Sequence, residues 1–255
     1  MTRTALTWSE KRRAYVIGGF VVLGLFVASA ILVSVFYDAP SCQDGKQNTD
    51  ETGIDCGGSC AYLCSAAVEA PRVTFARTVV HAGRTDVIAY IENRNRAAEA
   101  KDAPYTAEVF DESGRLLATK EGVIDLPARS TVALYIPGIM QGTGFSPRAF
   151  VSFPESLRWR TAGEADRSLI VDRTDLREGN APRVVAWIRN SSPASAYDQE
   201  AVATVFGPDG LAMAASRTVV RVVEGLDEAS AVFTWSEPFP APVSRVEVTL
   251  KPELP

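Results

Sequence analysis

The chain has 255 residues, 46% of them hydrophobic and 22% charged, with a formal net charge of −5. That length accommodates about two ordinary domains. Arg3, Lys11, Arg12 and Arg13 against Glu10 give residues 1–13 a net +3, so the remainder carries −8. An acidic bulk without a basic patch excludes a nucleic-acid binder.

The first predicted element is a transmembrane helix. Ala14 to Tyr37 reads AYVIGGFVVLGLFVASAILVSVFY, 24 residues without a charge. At about 1.5 Å per residue, a helix of this length crosses a hydrocarbon layer of roughly 30 Å. Trp8, Tyr15 and Phe36-Tyr37 suit interfacial aromatic positions. The cations lie before the segment and Asp38 after it. The positive-inside bias therefore predicts a cytoplasmic tail over 1–13, a membrane span over 14–37, and an extracytoplasmic remainder. Such a tail has no room for a folded output domain. Ala28-Ser29-Ala30 is a competing signal-peptidase pattern, although the apolar run ILVSVFY continues past it. A lipid anchor is disfavoured because the first cysteine follows Ala39-Pro40-Ser41. Gly24 and Ala28 form a small-xxx-small pair through which two helices can dimerise.

Residues 38–66 hold all four cysteines: Cys42, Cys56, Cys60 and Cys64. Outside the cytoplasm, cysteines pair. Their spacing lacks the CxxC knuckles of zinc sites and of thioredoxin-like enzymes. Two disulfides have three connectivities. Cys42–Cys60 with Cys56–Cys64 is preferred, because each alternative bridges cysteines only four positions apart. Asp44, Asn48, Asp50 and Asp55 are a candidate calcium set, since calcium takes hard oxygen ligands. On an EF-hand loop they would occupy the first, fifth, seventh and twelfth positions. Lys46 breaks that pattern at the third position and Thr49 at the sixth. The alternative is that Asp-Gly, Asn-Thr-Asp and Gly-Gly are turn chemistry.

The stretch resembles a small bacterial module written C-x-D-G-x-x-N-x-x-E-T-G-x-D-C-G-G-x-C-x-x-C. Cys42, Asp44, Gly45, Asn48, Glu51, Thr52, Gly53, Asp55, Cys56, Gly57, Gly58, Cys60 and Cys64 match. Thr49 stands where Gly is usual, and one extra residue precedes Cys64. The resemblance implies an exported, disulfide-bonded spacer near a membrane anchor, with no defined activity.

Beyond Ser65 the sequence repeats. Ala89-Tyr90-Ile91-Glu92-Asn93 returns as Ala186-Trp187-Ile188-Arg189-Asn190, and Val109-Phe110-Asp111-Glu112-Ser113-Gly114 as Val205-Phe206-Gly207-Pro208-Asp209-Gly210. Arg148 to Phe153 returns as Arg245 to Leu250. Matches in order at a near-constant offset predict a duplication. Val246, Val248 and Leu250 alternate with polar residues, the period-two pattern of a half-buried strand. The FDESG and FGPDG strings supply hairpin turns. The expected fold is mainly β: two separately folded, tandem Ig-like antiparallel β-sandwiches of about seven strands each. The first is expected over 70–155 and the second over 160–252, with the junction around Ser156–Asp166. Tyr90 and Trp187 are expected in the cores of equivalent central strands.

This pattern resembles the FxLYD-type bacterial envelope domains over residues 86–136 and, less closely, over 183–236, where Gly207 replaces the expected Asp. The resemblance implies an immunoglobulin-like fold and extracytoplasmic placement, without catalytic residues.

His81 is the only histidine, so histidine-based metal sites and nucleophile–His pairs lack material. It reads as structural. Phosphate-cradling glycine loops and HExxH strings are absent. The pairs Asp50-Glu51 and Asp227-Glu228 have the residue types of glycoside hydrolysis, but sit in turn-rich surroundings. Trp159 and Trp235 read as core, with a binding face as the alternative. The expected protein is a non-enzymatic, single-pass bacterial envelope protein. Its exported sandwiches act as a binding or spacer module toward a protein or glycan, without a required cofactor. The competing class is an enzyme accessory or weak carboxylate-based hydrolase.

Overall fold

The computed structural model describes residues 8–36, 41–48, 50–141, 148–163 and 168–254. Helix α1 (Trp8–Phe36) begins inside the segment expected as a tail, because Trp8 to Arg13 continue the helical turn without a breaker. Tyr37 and Asp38 lie outside the described residues. Arg12–Ser34 is long and apolar enough to cross a membrane, and none of it is covered by protein. Its length and composition fit a membrane anchor or a signal helix.

The Cys-rich module follows. Cys42–Cys60 and Cys56–Cys64 are its disulfides, the pairing preferred from spacing. The Gly-Gly of the motif has a steric reason. Gly57 and Gly58 have positive φ, and a Cβ would strike Thr52 Oγ1 at Gly57 and the Asp50 carbonyl at Gly58. Strand β1 (Tyr62–Leu63) then fastens the module to the domain behind it.

The first sandwich comprises β2 (Arg72–His81), β3 (Arg84–Asn93), β4 (Ala98–Phe110), β5 (Leu116–Leu126), β6 (Ser130–Gln141), β7 (Arg148–Ser152) and β8 (Trp159–Thr161). One sheet is β2-β3-β6. In the other, β4 lies between β5 on one side and β7 and β8 on the other, with β1 added beyond β8. All pairings are antiparallel. Val87, Ala89, Ile91, Val109, Leu126, Leu134 and Trp159 fill the space between the sheets.

The second sandwich comprises β9 (Leu169–Arg177), β10 (Arg183–Asn190), β11 (Ala196–Phe206), β12 (Ala212–Val223), β13 (Glu228–Thr234) and β14 (Arg245–Leu250). Its sheets are β13-β10-β9 and β12-β11-β14. Val184, Ala186, Ile188, Val205, Phe233 and Trp235 form its core. Six strands make up this sandwich among the described residues, where about seven were expected. The extra strand of the first is β8, whose Arg160 and Thr161 the repeat placed in the second unit. Instead β8 pairs with β1 and with Ala98-Glu99 of β4, carrying Trp159 into the first core at 2% exposure.

The two sandwiches correspond in their hydrogen bonds. Buried Asn93 donates to the carbonyls of Ala98 and Leu126 at 2.9 and 3.1 Å. Buried Asn190 donates to those of Ala194 and Val223 at 2.8 and 3.1 Å. Each asparagine clamps its strand end to two loops and satisfies buried carbonyls. The hairpins also correspond, except that the carboxylate moves. Asp111 Oδ1 accepts from the Ser113 and Arg115 amides, whereas Asp209 Oδ1 accepts from the Leu211 amide. A Cβ on Gly207 would come within 3.1 Å of that Asp209 oxygen. The glycine at this position therefore accompanies the shifted aspartate.

The sandwiches do not pack as independent bodies. A third apolar cluster joins them: Val79, Ile88, Tyr90, Ala133 and Tyr135 of the first against Val202, Phe206, Ala212 and Ala215 of the second. The outer face of β2-β3-β6 thus lies on the outer face of β12-β11-β14, making four stacked sheets. Tyr90 stacks on Phe75 at 4.8 Å and meets Phe206 edge-on at 6.3 Å, while its hydroxyl donates to Glu247 at 2.9 Å. Tyr90 is therefore buried between domains rather than within one. Its repeat counterpart Trp187 is half-exposed, with the Arg173 guanidinium 4.3 Å over its ring. The expectation that both aromatics are core fails at Trp187, because no third layer covers its sheet.

Candidate binding groove at the junction

The expected calcium residues are engaged in turns. The Asp44 carboxylate accepts from the Lys46 and Ser41 amides and from Asn48 Nδ2, at 2.9, 3.4 and 2.8 Å. The Lys46 amide bond, first among these, holds the Asp44 carboxyl below its ordinary pKa. Asp55 receives the Gly45 amide on both oxygens at 3.1 Å, and Asp50 receives Ser59 Oγ at 2.9 Å. Asp44, Asp50 and Asp55 are not gathered into a triad. The group of three potential ligands found among the described residues is Cys42, Glu51 and Cys60, and both of its sulfurs are in a disulfide.

The carboxylate pairs are also occupied. Buried Glu51 accepts from the Asn48 amide at 3.2 Å. Glu228 is clamped by both terminal nitrogens of Arg173, at 3.1 and 2.8 Å. That clamp lowers the Glu228 pKa, and Arg189 beside Asp172 lowers the Asp172 pKa. Trp159 and Trp235 are core, at 2% and 4% exposure. His81 sits at the junction, with Nε2 3.3 Å from Ser236 Oγ, while the neighbouring Ala82 amide donates to Glu237 at 3.2 Å. Across the same junction the Leu254 amide donates to Asp125 at 2.7 Å.

A groove of about 490 Å³ is lined by residues of both sandwiches. Its walls are β2, β7 and the β11–β12 hairpin. Phe75, Phe150, Phe206 and Leu211 give it an apolar lining, and Arg77 and Arg148 add two guanidiniums. Arg245 lies 4.0 Å over the Phe206 ring from the neighbouring strand. None of the residues lining the groove is acidic. Among the described residues β2 pairs only with β3, and β7 only with β4, so both are edge strands. The arrangement suits an apolar body carrying a negative charge.

None of these residues was singled out for binding from the sequence, because the groove exists only where two domains meet. One signal was legible. Val132 to Ile136 of β6 is a continuous apolar run, whereas β13 buries only alternate residues. A continuous run marks a strand covered on both faces.

No protein-family model matches the chain, and no curated protein matches it. Among solved structures, Bacteroides uniformis beta-glucuronidase 2 covalently bound to cyclophellitol-6-carboxylate aziridine is 12% identical, covering 66% of this chain and 24% of its own, with a TM-score of 0.24. A Bacteroides uniformis beta-glucuronidase is 10% identical, covering 61% of this chain and 22% of its own, with a TM-score of 0.21. A beta-glucuronidase from glycoside hydrolase family 2 is 9% identical, covering 80% and 26%, also at 0.21. The chain spans about a quarter of the length of these structures. At such TM-scores the likeness carries no argument about function.

Proposed function

We propose that this protein is a membrane-tethered, non-catalytic binding and spacer module of the bacterial envelope, with its sandwiches outside the cytoplasm. Continuity carries the reading. An apolar helix leads into a disulfide-closed module, β1 of that module pairs with β8 of the first sandwich, and the first sandwich is fused to the second through a shared apolar cluster. Such a chain of ties holds the module and both sandwiches in one arrangement. The junction groove is the surface that engages the partner, an envelope protein or glycan presenting an apolar group beside an anionic one.

The test has two arms. Protease added to intact cells should remove the sandwiches and spare the N-terminus; full protection of the sandwiches overturns the topology. Cross-linking in intact cells should then give a species with wild type that disappears with Arg77→Glu/Arg148→Glu. An unchanged species in that variant places the contact elsewhere and overturns the groove.

A further inference from the structure

The two faces that meet inside the molecule have uncovered counterparts at its two ends. Strand register defines the equivalences. Trp187 pairs with Ser230 as Tyr90 pairs with Ala133, and Val185 pairs with Val232 as Ile88 pairs with Tyr135. Val185, Trp187 and Val232 on the outer face of β13-β10-β9 therefore repeat Ile88, Tyr90 and Tyr135. At the other end, Phe110 pairs with Leu116 and Arg148 as Phe206 pairs with Ala212 and Arg245. Phe110 and Leu116 on the outer face of β4-β5-β7 thus repeat the residues that the second sandwich presses onto the first. Phe150 packs edge-on against Phe110 at 5.6 Å, and Leu116 and Phe150 are 48% and 54% exposed.

We infer that a second copy of this chain docks its Phe110 and Leu116 face on the Val185, Trp187 and Val232 face of the first, repeating between molecules the contact that joins the two sandwiches within one. The charges agree in sign. Arg173, Arg177, Arg183 and Arg189 around Trp187 outnumber Asp172, Asp175 and Glu228. On the opposite face Glu108 and Glu121 outnumber Arg148. At the position of Phe75, which touches both Tyr90 and Phe206 inside the molecule, the second sandwich places Arg173 over Trp187. This arginine meets an incoming Phe110 ring through cation–π contact and an incoming Glu108 through charge. Because the two faces differ, the interface is heterologous. A copy that uses one face leaves the other open, so assembly is open-ended rather than closed at a dimer.

The experiment uses the full chain in detergent micelles and follows sedimentation over a wide concentration range. Wild type should form species growing beyond a dimer. Trp187→Glu alone and Leu116→Glu alone should each lose that growth. An equimolar mixture of the two variants should form a dimer that grows no further, because each variant retains the face the other lacks. Arg173→Glu and Glu108→Arg, which keep the apolar side chains, serve as the second pair if thermal melting shows that either first variant is misfolded. Wild type that remains monomeric overturns the inference. So does an association that neither variant weakens, which is the outcome expected of helix pairing through Gly24 and Ala28. A mixture of folded variants that remains monomeric also refutes it.

Discussion

Replacing Tyr90 by alanine removes a ring that two domains share, while replacing Trp187 removes its repeat counterpart from a surface. Tyr90 is 9% exposed and contacts Phe75 and Phe206. An aromatic side chain burying roughly 200 Å² at about 25 cal/mol per Å² accounts for about 5 kcal/mol as an upper value. Alanine keeps the Cβ and the neighbours relax in part, so Tyr90→Ala is expected to cost about 3–5 kcal/mol. Tyr90→Phe keeps the ring and loses the hydroxyl's bond to Glu247. That carboxylate still has Arg245 at 3.2 Å, so the expected cost is about 1 kcal/mol. Trp187→Ala loses a surface cation–π contact worth about 0.5–1 kcal/mol and a partly buried ring, for a total below about 2 kcal/mol. Urea unfolding of the full chain in detergent, followed by far-UV circular dichroism, measures all three. Because Tyr90 couples the sandwiches, its loss should also split one transition into two. A Tyr90→Leu/Phe206→Leu cycle should show a coupling of about 0.5–1.5 kcal/mol. The reasoning fails if Trp187→Ala costs as much as Tyr90→Ala, or if Tyr90→Ala leaves the midpoint unchanged.

Four further outcomes are expected. Unreduced protein should weigh four protons less than reduced protein. Cys42→Ser/Cys60→Ser, opening the longer loop of 18 residues, should cost about 3 kcal/mol in the module while the sandwiches melt unchanged. Millimolar calcium added after chelation should leave thermal stability unaltered, since the Asp44, Asp50 and Asp55 oxygens already hold amide or hydroxyl donors; a rise would establish a calcium site. Finally, Arg189 and Arg173 hold Asp172 and Glu228 below their ordinary pKa values. Stability from depressed carboxyls is present above their unfolded pKa of about 4 and lost as pH falls through the folded values. Asp172→Asn/Glu228→Gln should therefore flatten the acid limb of the melting profile, and an unchanged limb counts against the clamp.

The sequence by itself determined whatever depends on neighbours along the chain. An uncharged run of this length makes a membrane-length helix in any context, since its own backbone satisfies every amide. Four cysteines confined to one short stretch can pair only with one another, and spacing was enough to prefer Cys42–Cys60 and Cys56–Cys64. The repeated Asn93 and Asn190 strings mark equivalent strand ends, because each asparagine clamps loops close to it in the fold. The tertiary structure decided the rest. Tyr90 and Trp187 stand in the same local string, and one is buried while the other is not, because burial of a sheet's second face depends on what lies across from it. That neighbour is Phe206, more than a hundred residues from Tyr90. The same cause moved β8 into the first sandwich: the assembled edge of β4 pairs with Arg160 and Thr161, and β1 pairs with Trp159 and Arg160 from the other side. It also placed Arg77, Arg148 and Phe206 around one groove, a site made of residues that no local pattern connects.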